Sequence, residues 1–279
     1  MTDRLLEIDR LAVDYPGSGR SKPVRALEDI SLRIRPGETV GLVGESGSGK
    51  TTLGRAILGL IPVAEGNILF DGNDISHLRR RERRALSADI QVVFQDPYTS
   101  LNPSMTVEDI LSEPLIVAGR SRRDAVARTR ELLDRVHLPH DAGRRLPREF
   151  SGGQRQRIAI ARAMALSPRL IVCDEPVSAL DLTTQARVLA LFTEIQESTG
   201  VSYLFITHDL SVVRAVSHSV LVLYRGKIVE SGRTAVVTSA PTHPYTRRLF
   251  MSAPVADPER QKERRLQRLA LTASEGTAA

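Results

Sequence analysis

The sequence predicts an α/β protein, and three observations carry that reading. Short apolar runs that stop at a glycine or a charged residue, ETVGLVG (38–44), RLIVCDE (169–175) and SYLFITH (202–208), have the length and composition of buried parallel strands. Strand-like and helix-like runs alternate along most of the chain, as they do when helices cover a sheet. Between about 97 and 165 the texture turns mostly helical, with TVEDILSEPLIVA, RRDAVARTRELLDRVHL and RIAIARAMAL in succession, which reads as a helical insertion in an α/β core.

The remaining elements follow from the same patterns. LLEIDRLAVDY (5–15) and ALEDISLRIRPGE (26–38) alternate like antiparallel strands at the front of the chain, and VLVLYRGKIVESG (220–232) reads as a hairpin turned at Arg225 and Gly226. After Pro241 the pattern weakens, and LTASEGTAA at 271–279 is expected to be disordered. No internal repeat is visible.

Composition narrows the function. A chain of 279 residues with 41% hydrophobic content can bury a core without staples. Its single cysteine, Cys173, excludes an internal disulfide and any multi-cysteine metal or iron–sulfur site. No stretch reaches about 18 apolar residues, and MTDRLLEIDR carries charges where a signal peptide needs an apolar run, so a soluble, cytoplasmic chain is expected. Lys+Arg of 39 against Asp+Glu of 33 leaves a net charge of +6, nearly all of it arginine. A basic balance can serve nucleic acid or anionic lipid. The clusters RRRERR (79–84) and RQKERRLQR (260–268) hold acidic residues and no aromatics, so they read as solvated surface.

The chemistry concentrates in a few segments. Gly44-Glu45-Ser46-Gly47-Ser48-Gly49-Lys50-Thr51 fits the phosphate-loop pattern between a strand and a helical run that starts with Thr51-Thr52. Its glycines let backbone N–H groups wrap phosphates, Lys50 adds a point charge, and the Thr51 hydroxyl can ligate Mg²⁺. RLIVCDE ends in Asp174 and Glu175 at the carboxyl end of a strand, where ligands sit in open α/β sheets. Strand alternation would send the two carboxylates to different sides, Asp174 toward the metal and Glu175 toward an attacking water. Ser151, Gly152, Gly153 and Gln154 open a second helix start able to hold a phosphate, and this one has no lysine. Three further residues stay open on their own: His208 after SYLFIT and Gln95 after IQVVF can each be structural, and Tyr15 can be an ordinary half-buried aromatic.

Taken together these segments resemble the ATP-binding subunits of ABC transporters, from about residue 5 to 254, with the helical subdomain at about 97–165 and a partly disordered tail at 255–279. The resemblance implies a P-loop NTPase (RecA-like) core with an antiparallel β subdomain and the helical insertion, the ABC cassette. GESGSGKTT looks like Walker A, LIVCDE like Walker B with its catalytic glutamate, SGGQ like the signature, and SALD (178–181) like the D-loop. Tyr15 falls at the adenine-stacking aromatic, Gln95 at the Q-loop and His208 at the switch histidine. By this resemblance ATP and Mg²⁺ are the cofactors, with Thr51, Gln95 and Asp174 at the metal and Glu175, His208 and Gln95 in catalysis. Two cassettes pack head to tail in this family, so the second loop serves the ATP bound by a partner. FQDPYTSLNPSMTV (94–107), REFSGGQRQR (148–157), DEPVSALD (174–181) and PTHPYTRRLF (241–250) are more finely similar to the oligopeptide, dipeptide and nickel importer group, and GKTTLGRAILGL with YTSLNP to its F-type ATPase subunit.

That implies a peripheral subunit at the cytoplasmic face of the membrane, paired with the same or another ATPase subunit, with two permease subunits and an extracytoplasmic solute-binding protein. Residues 95–115 would touch the permeases. The rival reading, a soluble ABC ATPase acting on nucleic acid or ribosomes, rests only on the basic charge; no nucleic-acid partner is expected. A P-loop kinase leaves SGGQ and SALD unexplained.

Overall fold

The computed structural model describes residues 3–17 and 22–252, so the expected tail from 255 and the basic cluster at 260–268 lie outside the described residues. In chain order the strands are β1 (Leu6–Tyr15), β2 (Val24–Ile34), β3 (Thr39–Val43), β4 (Glu65–Phe70), β5 (Asn73–Asp74), β6 (Ile90–Val93), β7 (Leu170–Asp174), β8 (Ser202–Thr207), β9 (Ser219–Tyr224) and β10 (Lys227–Arg233). The helices are α1 (Lys50–Ile57), α2 (Arg80–Leu86), α3 (Pro97–Ser100), α4 (Val107–Val117), α5 (Arg122–Arg135), α6 (Gly152–Ala163), α7 (Leu182–Thr199), α8 (Leu210–Val216), α9 (Thr234–Ser239) and α10 (Pro244–Ser252).

They build two sheets. The first is antiparallel in the order β2-β1-β4-β5; the second runs β10-β9-β3-β8-β7-β6 and is parallel except for β10. Every residue of β3 and β8 is buried, because strands in the middle of a covered parallel sheet have no solvent face. That is why these segments read as unbroken apolar runs rather than alternating ones.

The helical insertion shares its core with the parallel sheet. Ile110, Leu111, Leu132 and Phe150 belong to the same buried cluster as Ile171, Cys173 and Phe205, and Phe192 of α7 packs edge-on against both Tyr203 and Phe205 at centroid distances of 5.4 and 5.3 Å. Local capping sets where the helices begin: the side chains of Thr106, Ser121, Ser151 and Asp181 each accept a backbone N–H three residues on, closing α4, α5, α6 and α7.

Two segments differ from the sequence reading. The stretch after Pro241 forms α10, whose Tyr245 and Phe250 join a small buried cluster with β9 and α8. Its helical signal is short, and its apolar face is satisfied only by distant residues. In the cluster at 79–84, Arg83 is no surface charge: it donates to the carbonyl oxygens of Ile57 and Ile75, and burial holds its guanidinium below the ordinary arginine value.

Replacing Phe192 with Ala would remove the ring that bridges two aromatic neighbours in a closed core. Stability in urea is expected to fall by about 3–5 kcal/mol, and by much less for Phe192→Leu; a loss below about 1 kcal/mol for the alanine variant would show that this core collapses freely around the gap.

Candidate functional site

The phosphate loop, Gly44–Gly49, joins β3 to α1, and close packing or a positive φ calls for each of its glycines. A side chain on Gly44 would meet the Leu223 carbonyl oxygen at 2.2 Å, and Gly49 has φ of +110°, open to glycine and strained for other residues. The carbonyls of Gly44 and Glu45 hold the Lys50 ammonium at 2.8 and 2.9 Å. Burial pulls this ammonium below the ordinary lysine value, and the charges of Glu175, Asp174 and Glu45 pull the other way.

The loop floors a cleft of about 640 Å³. Ser46, Gly47, Lys50, Thr51 and Thr52 line it together with Tyr15, Gln95 and Glu175. The Tyr15 ring ends β1, and its hydroxyl is 3.3 Å from the Thr52 hydroxyl. The Thr51 hydroxyl donates to Asp174 at 3.2 Å. Burial pushes the Asp174 carboxyl above the ordinary aspartate value, with the Thr51 hydrogen bond opposing and the Glu175 charge adding to the shift. His208 Nδ1 lies 3.1 Å from Glu175 Oε1.

Asp174 and Glu175 take different partners, Thr51 and His208, and Glu175 stands outside the strand alternation. The strand β7 ends at Asp174, and Glu175 has φ of +50°, a left-handed backbone uncommon outside glycine. Its N–H donates to the Ile206 carbonyl at 2.9 Å, and its own carbonyl accepts from the Ser178 backbone and hydroxyl, which hold the turn.

Ser151, Gly152, Gly153 and Gln154 are absent from this cleft. Ser151, Gly153 and Gln154 line a separate cavity of about 580 Å³ between α6 and α7, and Ser151 and Gln154 form a capping box in which each side chain accepts the other's backbone N–H.

The residues of the cleft fit a nucleotide with a hard divalent cation. Gly47, at φ of +78°, has no atom within 4 Å of where a side chain would start, so its backbone faces open space. Thr51, Asp174 and Gln95 offer only oxygen donors, the set Mg²⁺ takes when phosphates and water complete its shell. Among the described residues no group of three or more His, Cys, Asp and Glu is placed to cage a metal without such help.

Sequence reasoning missed Val24, Arg25, Ala26, Arg225 and Gly226 on the cleft wall, and Tyr245 beneath the loop, whose hydroxyl accepts the Glu45 N–H at 2.9 Å. The only signal for Tyr245 was its place in PTHPYTRRLF, a tail without a motif of its own.

Comparison with known proteins gives this geometry a family. The ABC transporter family pattern matches residues 27–178, and the chain belongs to that family. A protein of Brucella abortus (strain 2308) named for peptide import and ATP binding is 49% identical over 261 residues, 91% of this chain and 78% of its own length. The glutathione import ATP-binding protein GsiA of Shigella dysenteriae is 49% identical over 247 residues, 88% of this chain but 40% of that longer protein. Among solved structures, cbiO1 of Clostridium perfringens, part of an ABC transporter complex, superposes with a TM-score of 0.77 at 27% identity, covering 86% of this chain and 92% of that one. The dimeric cassette MJ0796 bound to ADP and phosphate does so at 0.73 and 30% identity, covering 82% and 98%.

Tyr245→Phe removes the acceptor for the Glu45 N–H and keeps the ring. Stability is expected to drop by about 1–2 kcal/mol in urea, with weaker ATP binding because the loop loses its outer tether. Unchanged stability and affinity would show that the hydrogen bond does not hold the loop.

Proposed function

We propose that this chain is the ATP-binding and ATP-hydrolysing subunit of an ABC importer for peptides or similar small solutes, working as half of a dimer of cassettes. The observation that carries the reading is the division of the phosphate-binding parts. Lys50, Thr51 and Glu175 line one cleft, with Asp174 bonded to Thr51 and His208 beside Glu175, while the SGGQ helix start opens elsewhere on the same chain. A helix N-terminus without a lysine adds N–H groups and a dipole to a phosphate whose cation is supplied from another loop, and a second cassette can bring the two together.

In this proposal Tyr15 stacks on the adenine, and the backbone of Gly44–Gly49 with Lys50 holds the β- and γ-phosphates. Thr51, Asp174 and Gln95 hold Mg²⁺, which neutralises phosphate charge when bound. Glu175 orients and deprotonates the attacking water, and its left-handed backbone aims the carboxylate into the cleft. His208 holds that carboxylate from the next strand. Ser151 to Gln154 contact the γ-phosphate held by the partner.

Coupling to permeases has a surface to work from. Phe94 and Tyr98 beside Gln95, with Ile116 and Val117 of α4, are exposed apolar side chains. Tyr98 lies under the Arg155 guanidinium at 4.3 Å, and Arg162 donates to the Ser100 carbonyl, so this segment is tied to the SGGQ helix α6. Among the described residues no helix is long and apolar enough to cross a membrane. Two relatives named for peptide and for glutathione import support a peptide-like solute.

Glu175→Gln is expected to bind Mg-ATP normally and to lose hydrolysis by about two to four orders of magnitude, because the amide accepts no proton; near-normal turnover with normal binding would remove Glu175 from the role of base. The division of the site has its own test in mixed dimers. A Ser151→Arg chain paired with a partner lacking its phosphate-loop lysine places both lesions on one composite site and should retain hydrolysis. Paired with a partner carrying its own signature lesion, it should retain almost none. Equal rates in the two mixtures would refute a shared site.

A further inference from the structure

The β9–β10 turn places an arginine in the nucleotide cleft that no motif accounts for. Arg225 and Gly226 are its two central residues, with φ of +48° and +77°, and Tyr224 pairs with Lys227 across it. Two-residue turns of this kind favour Asn-Gly or Gly-Gly, because both positions are left-handed; arginine is a poor fit at the first. Of the seven non-glycine residues with positive φ among those described, two line the cleft: Glu175 and Arg225. A side chain held against its backbone preference at a ligand cleft points to use rather than to folding.

The turn is also fixed in place. Gly226 N–H donates to the Ser48 carbonyl at 2.9 Å, and its own carbonyl accepts the Glu28 N–H at 2.9 Å, so the hairpin is wedged between the phosphate loop and β2. A side chain at Gly226 would meet the Ala26 carbonyl at 2.5 Å. The Arg225 guanidinium lies 5.1 Å from the Tyr224 ring, which is stacked on Tyr245 at 4.0 Å.

Charge separates Arg225 from its neighbour. Arg25, also on the cleft wall, is engaged by Asp14 through two hydrogen bonds and by Glu65 through a third, so its charge is spent inside the protein. Arg225 is exposed and has no hydrogen bond or ion pair with any described residue. It is the unneutralised guanidinium on this wall, facing a cleft whose floor is a phosphate loop.

We infer that Arg225 is a nucleotide-binding residue, its guanidinium closing on the phosphate chain of ATP from the hairpin side. The inference rests on the ATP-site reading above and extends it. Lys50, at the floor, meets the β- and γ-phosphates; Arg225 supplies a second cation at the rim, held on a turn that is itself bonded to the loop.

Arg225→Asn is the informative variant, because asparagine suits the left-handed turn and removes only the charge and reach. Titration of the full chain with Mg-ATP by calorimetry should show the Kd rising about tenfold, with thermal stability equal to or above wild type. Arg225→Lys, which keeps the charge, should recover affinity to within about threefold, and the gap between wild type and Arg225→Asn should narrow as salt rises. Lys50→Ala, run in parallel, reports on the site itself. If Arg225→Asn binds Mg-ATP like wild type while Lys50→Ala does not, the inference about Arg225 is wrong and the ATP site stands. If Lys50→Ala also binds like wild type, the ATP-site reading falls and Arg225 with it.

Discussion

The phosphate loop is clamped by main chain and one tyrosine hydroxyl from distant elements, and the rest of the molecule is arranged around that clamp. The Leu223 carbonyl occupies the space where a side chain on residue 44 would stand, Gly226 donates to Ser48, and Tyr245 takes the N–H of Glu45. These contacts come from β9, the hairpin turn and α10, which sit at one side of the parallel sheet because β9 pairs with β3. Within the loop the Ser48 N–H turns back on the Glu45 carbonyl, a single short turn that does not hold the whole segment by itself. The loop gains its rigidity from neighbours, and residues far along the chain supply it.

Electrostatics give the same loop a second constraint. Lys50, Asp174 and Glu175 are close enough to perturb one another in a partly buried cleft, and burial works against the charged forms of both Lys50 and Asp174. In the protein alone, two loop carbonyls and the Thr51 hydroxyl absorb part of that cost. Such a site is poised for a ligand that carries both signs of charge, as a nucleotide with a divalent cation does. The arginines of the wall follow the same logic: among the described residues Arg25 is neutralised by Asp14 and Glu65, and Arg225 has no such acid.

The fold keeps the SGGQ segment apart from the phosphate-loop cleft. Ser151 and Gln154 satisfy one another in a capping box, so α6 is a complete helix start in the single chain. Its N-terminus nevertheless opens into a different cavity from the one that holds Lys50. The helix carrying it is joined to the segment after Gln95 by Arg155 and Arg162, which links the exposed apolar side chains of that segment to the start of α6.

By itself the sequence determined what is local. Buried parallel strands need unbroken apolar runs, a phosphate loop needs its glycines and lysine at fixed spacing, and helix starts need a capping side chain, so β3, β7, β8, Gly44–Thr51 and the Ser151 cap are legible in the order of residues alone. Tertiary structure decided what depends on residues that meet only after folding. Tyr245 lies 200 positions from the Glu45 N–H it accepts, Arg225 enters the cleft because β9 docks beside β3, and Arg83 leaves a run of surface charge to cap carbonyls of other elements. Glu175 is recognisable as an acid at a strand end, but its left-handed backbone is held by hydrogen bonds to Ile206 and Ser178. Contacts of this kind leave no periodicity and no motif, because the partner's position is set by sheet order rather than by spacing along the chain.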